Sequence, residues 1–520
     1  MPPLQPASIK ALRAQSEPLP FAIAPVNSSN AFKSTHTRSL PLAKRWDDHW
    51  SIESRGFEGS ALKESANQPS DRKVISLGTG RPTADYYPWD SVTIESMPPT
   101  LAGEPSSHQT TIAKYTDTFN LANGLNYSSG AGFPHLLRFF TEHVEMMHQP
   151  RYSDWAVCLS CGSTSALDIA YRIFCNRGDT ILTECYTYPG AVERAGLQGI
   201  RVQGVAMDAE GLRPDVLDEI LRNWDTSASS KPRVLYMIPT GQNPTGVTQG
   251  LPRREQIYQI AETHDLIIIE DDPYYCLRLG MQCANELNGQ GNGGDSVLTA
   301  IDRFQAQAVP SYLSIDRSGR VVRLDSTSKI LAPGLRAGWV TASLQAIRKF
   351  VAYQEVSTLG VNGPTQLMLW KLLDETWGHE GFLLWLSNLS RQYQLRRDIL
   401  VRACEKYLPR GLVSWNCPQY GMFLWLQLDY RQHPLLRHQT TTEFSMETFL
   451  VEMESRIVSR SLEQGVQVTK GSLFSPSPKR QGMFYIRLTS AAALVKDLSE
   501  GVKLLSDVLR EEFALEAHMM

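Results

Sequence analysis

The sequence lacks the features that mark three specialised classes of protein. No apolar run approaches the roughly 18 residues of a membrane helix, so no membrane partner is expected. The 51 Lys and Arg are balanced by 54 Asp and Glu, a net charge of −3, whereas nucleic-acid-binding proteins carry a basic excess. Eight cysteines in 520 residues are too few for a disulfide framework, and the lone pair Cys158 and Cys161 does not make a zinc site. We therefore expect a globular enzyme with reduced thiols, no metal, no nucleic-acid partner and a cytoplasmic location.

Residues 1–45 differ in composition from the rest of the chain. They carry six Lys and Arg but one acid, Glu17, among many Pro, Ser and Thr. This bias is also typical of an organelle transit peptide, so mitochondrial import is the alternative to a cytoplasmic location. Seven prolines work against the amphipathic helix of such a peptide, which favours a disordered N-terminal head.

Between about residues 150 and 345, apolar strands alternate with helices. We predict strands at Ala156–Ser160, Thr180–Thr183, Val202–Met207, Val234–Pro239 and Leu266–Ile269, and helices at Ser163–Asn176, Gly190–Leu197, Pro214–Trp224 and Arg253–Asp265. Unbroken apolar strands separated by helices are typical of a parallel sheet that is covered on both faces. Ligands of such sheets bind at the carboxyl ends of the strands.

After about residue 365 the pattern changes. A helical tract over Gln366–Leu408 is followed by strand-like segments and by a helix near 494–512. The strand-like segments are Gly421–Leu428, Val466–Thr469 and Phe484–Leu488. This part predicts a smaller α+β domain. The Gly- and Asn-rich insert Asn285–Asp295 predicts a surface loop.

Residues suited to an anionic cofactor follow several predicted strands. The string CGST at 161–164 opens a helix, where N–H groups and two hydroxyls form an anion cradle. Asn243 is the polar side chain of the loop 239–246. In the string IIEDDPYY at 268–275 acids end a buried strand, and a carboxylate there could keep a heteroaromatic nitrogen protonated.

The most specific string is DSTSKILAPGLRAG at 325–338. Lys329 follows a hydroxyl-rich turn, and Arg336 comes seven residues later. A lysine held near a second cation has a lowered pKa and becomes an amine that can form a Schiff base. Ser326 and the planar guanidinium of Arg336 would suit a phosphate.

Together these strings resemble the fold-type I pyridoxal-phosphate enzymes of the class I/II aminotransferase group, especially the fungal aromatic and the 2-aminoadipate/kynurenine aminotransferases. The supporting strings, in the family's order over about residues 46–510, are HWSIES at 49–54, ISLGTGRP at 75–82, NYSSGAGFPHL at 126–136, IPTGQNPTG at 238–246, EDDPYY at 270–275, PSYLSID at 310–316, RLDSTSKILAPGLRAGWV at 323–340 and YIRL at 485–488. The resemblance implies an α/β fold, with a mainly parallel mixed sheet flanked by helices and a smaller α+β domain. It implies a disordered head at 1–45, an N-terminal arm with part of the small domain at 46–105, a large cofactor-binding domain at 106–375 and a small C-terminal domain at 376–520.

The resemblance also assigns roles. Lys329 corresponds to the catalytic lysine that holds pyridoxal 5′-phosphate as an internal aldimine. Asp272 corresponds to the acid on the pyridinium nitrogen, and Tyr275 with Asn243 to the groups on the ring oxygen. Tyr188 corresponds to the residue that stacks on the ring, and Tyr127 to the tyrosine that reaches the partner's phosphate in a homodimer. Gly80 and Arg487 correspond to the groups that bind the substrate α-carboxylate. The positions around the phosphate are Ser163, Thr164, Ser326, Ser328 and Arg336. Arg81 stands where relatives usually carry Leu, which places a charge near the expected substrate mouth.

Three functions follow as hypotheses. The first is transfer of an amino group from an aromatic or 2-aminoadipate-like amino acid to a 2-oxo acid, with Tyr86, Tyr87 and Trp89 either lining a side-chain pocket or packing ordinarily. The second is β-elimination on the same scaffold, including the C–S bond cleavage of fungal secondary metabolism. The third, a sensor domain fused to a DNA-binding head, is disfavoured because residues 1–70 lack a run of amphipathic helices.

Overall fold

The protein is described by a computed structural model, which covers residues 4–16, 18–19, 28–66, 75, 77–99, 107–115, 119–280, 297–437, 445–476 and 484–515. The insert Asn285–Asp295, predicted to be a surface loop, lies outside the described residues.

The strands and helices have the following bounds. The strands are β1 (Ser91–Ser96), β2 (His108–Ala113), β3 (Trp155–Ser160), β4 (Thr180–Glu184), β5 (Arg201–Val205), β6 (Met207–Asp208), β7 (Gly211–Leu212), β8 (Val234–Met237), β9 (Ile267–Asp271), β10 (Val321–Ser326), β11 (Gly338–Ser343), β12 (Val413–Trp415), β13 (Phe423–Leu428), β14 (Thr469–Lys470) and β15 (Phe484–Thr489). The helices are α1 (Pro6–Ala14), α2 (Thr35–Arg38), α3 (Ile52–Arg55), α4 (Ala61–Ala66), α5 (Leu121–Gly124), α6 (Pro134–His148), α7 (Ser163–Phe174), α8 (Pro189–Leu197), α9 (Pro214–Arg222), α10 (Leu251–Thr263), α11 (Val297–Ala306), α12 (Tyr312–Ile315), α13 (Leu344–Val356), α14 (Gly363–Trp370), α15 (Gly378–Tyr407), α16 (Pro434–Arg437), α17 (Met446–Glu463) and α18 (Leu498–Glu512).

A seven-stranded sheet with the order β3-β11-β10-β9-β8-β4-β5 forms the centre of the fold. The strands β10, β9, β8, β4 and β5 run parallel, whereas β11 runs antiparallel to both of its neighbours. Every residue of β8, β9 and β10 is buried, as expected for strands that helices cover on both faces. The predicted mixed, mainly parallel sheet is thus confirmed, and the loops at its carboxyl edge carry the motifs singled out above.

A second, antiparallel sheet with the order β12-β13-β15-β14 has its own hydrophobic core. The helix α15 joins the two parts, because Phe382 and Leu386 pack in the core of the large sheet and Leu400 and Cys404 pack in the second core. The helical tract predicted over Gln366–Leu408 is interrupted by a π-helical segment at Lys371–Trp377. The smaller α+β part is confirmed, while its boundary at residue 376 stays a prediction.

The prediction of a disordered head is wrong for the described part of residues 1–45. Pro6–Ala14 forms α1, and Ile9 is only 1% exposed. The guanidinium of Arg13 donates to Glu142 at 2.9 Å and to Asp374 at 2.6 Å. The prolines do not prevent this helix, because Pro6 occupies its first position, where the missing N–H costs no hydrogen bond.

The cysteines only partly match the expectation of reduced thiols. Cys158, Cys161 and four others are free thiols in the described part of the chain, whereas Cys417 is disulfide-bonded. Both members of the C-x-x-C pair are therefore free, and Cys158 is buried inside β3. Among the helices within the described ranges, none combines the length and apolar character needed to cross a bilayer.

Candidate active site

Lys329 lies on the turn that follows β10, at the carboxyl edge of the large sheet. The hydroxyl of Thr327 fixes this turn by donating to the carbonyl oxygen of Ala337 at 2.8 Å. One residue to each side of Thr327, the hydroxyl of Ser326 donates to that of Ser328 at 2.9 Å. The turn therefore holds the Lys329 side chain half-buried beside a pair of hydroxyls.

The electrostatic surroundings of Lys329 favour a reactive amine. Burial, together with the positive charges of Arg487 and Arg336, lowers the pKa of the Lys329 ammonium. A lysine shifted in this direction exposes its neutral, nucleophilic form at a lower pH than an ordinary surface lysine does. The expectation that a second cation lies close to this amine agrees with the structure.

The amino end of α7 and Arg336 form an anion cradle. The helix begins at Ser163 without a side-chain cap, and the Ser163 hydroxyl is buried without a hydrogen-bond partner. The guanidinium of Arg336 donates to the carbonyl oxygen of Cys161 at 3.3 Å. Gly162 has φ +88°, and a Cβ on it would lie 2.7 Å from Arg336 Nη2. Only glycine therefore lets the arginine approach the helix end, beside the exposed Thr164.

Arg487 reaches the same edge from the small sheet. Its Nη1 donates to Asn243 Oδ1 at 2.8 Å. Burial raises the pKa of Tyr274, whereas Arg487 and Asn243 both lower it, so both lie near this phenol. The guanidinium lies between the rings of Phe423 and Phe474, at 4.6 Å and 4.7 Å from their centroids. Burial lowers the pKa of Arg487, and its Nε is buried without a hydrogen-bond partner. The guanidinium of Arg487 therefore keeps a free N–H donor with which it can bind a carboxylate.

Tyr188 lies next to this group at the start of α8. Its ring packs across Gly190, because a Cβ on that glycine would come within 2.6 Å of the phenol. Burial is the main cause of the raised pKa of Tyr274, and the Tyr188 phenol adds to it, so the two phenols are close. The ring is 36% exposed and can present a face to a bound aromatic group.

Asp271 is the last residue of β9 and lies buried at the carboxyl edge of the large sheet. Its Oδ2 accepts a hydrogen bond from the hydroxyl of Tyr236 at 2.8 Å, while its Oδ1 is buried without a partner. Burial and the negative charges of Asp272 and Asp325 raise the pKa of Asp271 to about 7, against the opposing effects of Tyr236 and Arg323. A buried carboxyl oxygen without a partner is costly unless a ligand binds it.

Asp272 and Tyr275, the acid and the tyrosine assigned by the resemblance, make other contacts, although Asp272 Oδ1 is buried without a partner just as Asp271 Oδ1 is. The Oδ2 of Asp272 accepts from the hydroxyl of Thr240 and from Arg323 Nη1, both at 3.0 Å. The hydroxyl of Tyr275 donates to the carbonyl oxygen of Val309 at 3.1 Å. Both residues line a small cavity of about 10 Å³, which is room for roughly one water. Because Arg323 and Thr240 already bond to Asp272, and the Tyr275 hydroxyl bonds to the backbone, the geometry favours Asp271 and Tyr274 for the acid and the phenol, and this assignment stays a prediction.

The alternation of side chains along a strand explains why the two neighbouring acids make different contacts. Tyr236 of β8 is paired with Ile269 of β9, and Asp271 follows Ile269 by two residues, so these side chains share one face of the sheet. Asp272 points to the opposite face, where Arg323 holds it. The string EDDPYY contains two acid–tyrosine pairs with the same spacing, and only the face of the sheet distinguishes them.

Several other residues assigned by the resemblance are exposed to solvent. Gly80 and Arg81 are exposed, and a Cβ on Gly80 would meet no atom within 4 Å. Tyr127 is 53% exposed. The rings of Tyr86 and Trp89 are 84% and 55% exposed, and a side-chain pocket at these residues stays a prediction. No sequence pattern indicated that Phe423 and Phe474 would flank Arg487, or that Tyr236 would bond to Asp271.

The residues present fit pyridoxal 5′-phosphate. The buried Oδ1 of Asp271 is suited to a protonated ring nitrogen. The uncapped helix end with the unpartnered Ser163 hydroxyl and Arg336 is suited to a phosphate dianion. The Lys329 amine, with its lowered pKa, is suited to an aldehyde. A carboxylate, an anion cradle and an amine therefore lie together where such sheets bind their ligands.

Comparison with known proteins agrees with this arrangement. A family model described as aminotransferase class I and II matches residues 126–505. The chain is 44% identical over 499 residues to the aminotransferase swnA of Metarhizium robertsii, covering 93% of this chain and 95% of that protein. It is 35% identical over 477 residues to an aromatic amino acid aminotransferase of Schizosaccharomyces pombe, covering 89% and 98%. The crystal structure of the aminotransferase Aro8 from Candida albicans superposes with a TM-score of 0.82 at 35% identity, covering 91% of this chain and all 100% of that one.

Proposed function

Because this chain belongs to the class I and II aminotransferase family and uses pyridoxal 5′-phosphate, we propose that it transfers the amino group of an aromatic or 2-aminoadipate-like L-amino acid to a 2-oxo acid. The observation that carries the proposal is the meeting of Lys329, Asp271 and Arg487 at one edge of the large sheet. The name of the Schizosaccharomyces pombe relative supports the aromatic donor.

The cofactor would be held by side chains from both parts of the fold. Asp271 would bind the ring nitrogen, Asn243 and Tyr274 would bind the ring oxygen, and Tyr188 would lie against one face of the ring. The phosphate would be bound by the helix end and the hydroxyl-rich turn, namely Ser163, Thr164, Ser326, Ser328 and Arg336. The amine of Lys329 would bind the aldehyde carbon in the resting enzyme and would be freed when the substrate amine replaces it.

The chemistry divides between the cofactor and the side chains. Pyridoxal phosphate, when bound, supplies the electron sink for the charge that develops at the substrate Cα. Arg487 binds the α-carboxylate with its planar fork and thereby orients the Cα–H bond toward Lys329. The neutral amine of Lys329 takes the Cα proton as general base. In the return half of the reaction the same amine delivers a proton to the Cα derived from the 2-oxo acid.

The assembly and location are further parts of the proposal. The exposed hydroxyl of Tyr127 would reach the phosphate cradle of a second copy, as the resemblance implies for a homodimer. A cytoplasmic location is supported by α1, since removal of this segment as a transit peptide would expose the pocket that Ile9 fills and leave Glu142 and Asp374 without Arg13.

A donor panel tests this function. Purified holoenzyme is mixed with single amino acids in the absence of acceptor, and the absorbance of the cofactor is followed. L-Tyrosine, L-phenylalanine or L-tryptophan should convert the aldehyde form into the amine form, and a 2-oxo acid should restore it. No change with these donors would contradict the aromatic assignment. Release of pyruvate and ammonia from a cysteine conjugate without any acceptor would favour β-elimination instead.

Paired variants test the acid of the site. Asp271→Asn should lower kcat on the order of a hundredfold, because it removes the charge that faces the ring nitrogen. Asp272→Asn is the matched control on the opposite face of the sheet. It should lower stability, because Arg323 loses a buried partner, but leave kcat within a few-fold. The reverse pattern would return the role to Asp272.

A further inference from the structure

A phenol on the neighbouring strand holds Asp271 in place. The hydroxyl of Tyr236 donates to Asp271 Oδ2 at 2.8 Å, and the two residues are 0% and 6% exposed. The other carboxyl oxygen, Oδ1, is buried without a partner. The carboxylate therefore has one oxygen fixed within the protein and one left for a ligand.

The strand register makes this contact a property of the fold. Tyr236 lies opposite Ile269 in the parallel pairing of β8 with β9, and Asp271 is two residues beyond Ile269 on the same face. Both side chains lie on a sheet face whose strands are fully buried. A phenol has one rotatable donor at a fixed distance from the backbone, so it sets the orientation of the carboxylate.

We propose that Tyr236 is a positioning residue for the cofactor: it occupies Oδ2 of Asp271 so that Oδ1 stays aimed at the ring nitrogen and stays ionised. This inference rests on the proposed function, because it needs pyridoxal phosphate in the site. Tyr236 would touch neither the cofactor nor the substrate and would act only through its hydrogen bond to Asp271.

The charges around Asp271 show why this donor matters. The charged and titratable groups that face the carboxyl are Tyr236 of β8, Tyr171 of α7, Arg323 and Asp325 of β10, the adjacent Asp272, and Tyr274 on the loop after β9. Burial and two carboxylates raise the pKa of Asp271 to about 7, while the Tyr236 hydrogen bond and Arg323 oppose them. The Tyr236 hydrogen bond favours the ionised form of Asp271, so loss of the phenol donor shifts the carboxyl toward the neutral acid.

Tyr171 provides the matched control. Its ring centroid lies 6.4 Å from that of Tyr236, and it is likewise fully buried. Its hydroxyl, however, has no hydrogen-bond partner. Tyr171→Phe therefore removes a buried phenolic oxygen from the same region without removing a bond to Asp271, and Tyr236→Phe removes the oxygen together with the bond.

The experiment uses holoenzyme that carries pyridoxal phosphate labelled with ¹⁵N in the ring. The ¹⁵N chemical shift reports directly whether the ring nitrogen is protonated, and it is followed from pH 6 to pH 9. We expect the midpoint of deprotonation in Tyr236→Phe to fall by about one pH unit relative to wild type. The dissociation constant of the cofactor should rise on the order of tenfold. Tyr171→Phe should match wild type in both measurements.

Three further outcomes are informative. A Tyr236→Phe protein that matches Tyr171→Phe in midpoint and affinity would overturn the inference and leave the proposed function intact. Failure of the wild type to take up the cofactor would contradict the proposed function itself. If Tyr236→Phe does not fold, 3-fluorotyrosine at position 236 replaces it, because this residue keeps the shape of the side chain and is a stronger hydrogen-bond donor. The midpoint of ring-nitrogen deprotonation should then rise. An unchanged midpoint would overturn the inference.

Discussion

Arg487 Nη1 donates a hydrogen bond of 2.8 Å to Asn243 Oδ1, and this contact joins the small antiparallel sheet to the loop after β8. The amide oxygen of Asn243 thereby holds the guanidinium of Arg487, the group proposed to bind the substrate carboxylate, next to the loop after β8. We predict that Arg487→Lys, which keeps the charge but loses the planar fork, raises KM for donor and acceptor about tenfold or more. The cofactor spectrum should not change. Steady-state kinetics with both substrates, with the exposed Arg402→Lys of α15 as control, check this prediction.

A KM that stays within twofold of wild type for both substrates of Arg487→Lys would contradict the carboxylate-binding role. A loss of bound cofactor instead would show that Arg487 mainly supports the ring-binding loop through Asn243.

Gly162 and Gly178 allow the anion cradle to be tested apart from backbone strain. Both have φ near +90°, but a Cβ on Gly162 would lie 2.7 Å from Arg336 Nη2, whereas a Cβ on Gly178 would meet nothing within 4 Å. Both alanine variants should lose about 1–2 kcal/mol of unfolding free energy, since L-residues are strained there. Only Gly162→Ala should weaken cofactor binding, on the order of tenfold, in an equilibrium titration of the apoenzyme. Equal affinities in the two variants would argue against a phosphate at this helix end.

Glu184 should make stability depend on pH. Its Oε2 accepts from the Ile238 N–H and from Gln242 Nε2, both at 3.1 Å, and its Oε1 is buried without a partner. Burial raises the pKa of Glu184 from its ordinary 4.5 to about 8 despite these donors. The folded state thus keeps a proton that the unfolded state has lost, so stability falls as pH rises from about 4.5 to 8.

The variant Glu184→Gln removes this titration and keeps the shape of the side chain. The free energy of unfolding is measured with denaturant at pH 5 and at pH 8.5. Between these two pH values it should fall by a few kcal/mol more in the wild type than in the variant. Other buried acids contribute equally to both proteins and cancel in the difference. Parallel losses in the two proteins would show that Glu184 is already ionised in the fold.

The N-terminal helix should contribute to stability through Arg13. Its guanidinium bonds to Glu142 and Asp374, whose side chains are 8% and 4% exposed. Arg13→Ala leaves both acids without this partner and should cost about 2–3 kcal/mol of unfolding free energy. The exposed Lys10→Ala on the same helix should change it by less than about 0.5 kcal/mol. A similar midpoint for both variants in denaturant unfolding would mean that α1 is only loosely attached.

The alternation of strands and helices from 150 to 345 could be predicted from the sequence, because buried parallel strands are continuous apolar runs. Lys329 could be predicted as well, since Pro333 and the hydroxyl-rich turn surround it within one string. The order of the sheet could not, because the antiparallel insertion of β11 depends on contacts distant in the chain. Ile9 and Arg13 show the same limit: composition alone indicated disorder, while their partners lie more than a hundred residues away.

The acid of the site shows a finer limit. Asp271 and Asp272 are chemically identical neighbours, and each precedes a tyrosine by three residues. Their contacts differ because alternate residues of a strand face opposite sides of the sheet, and assigning each acid to a face requires the register of β9 against β8. Tyr236 has no sequence signal for the same reason.

We expect the amine of Lys329 to hold the cofactor in the resting enzyme. Borohydride reduction of the holoenzyme, followed by proteolysis and mass spectrometry, checks this attachment. A phosphopyridoxyl group should appear on the peptide that contains Lys329 and on no other peptide. An unmodified Lys329, or a label on a different lysine, would rule out this role of Lys329.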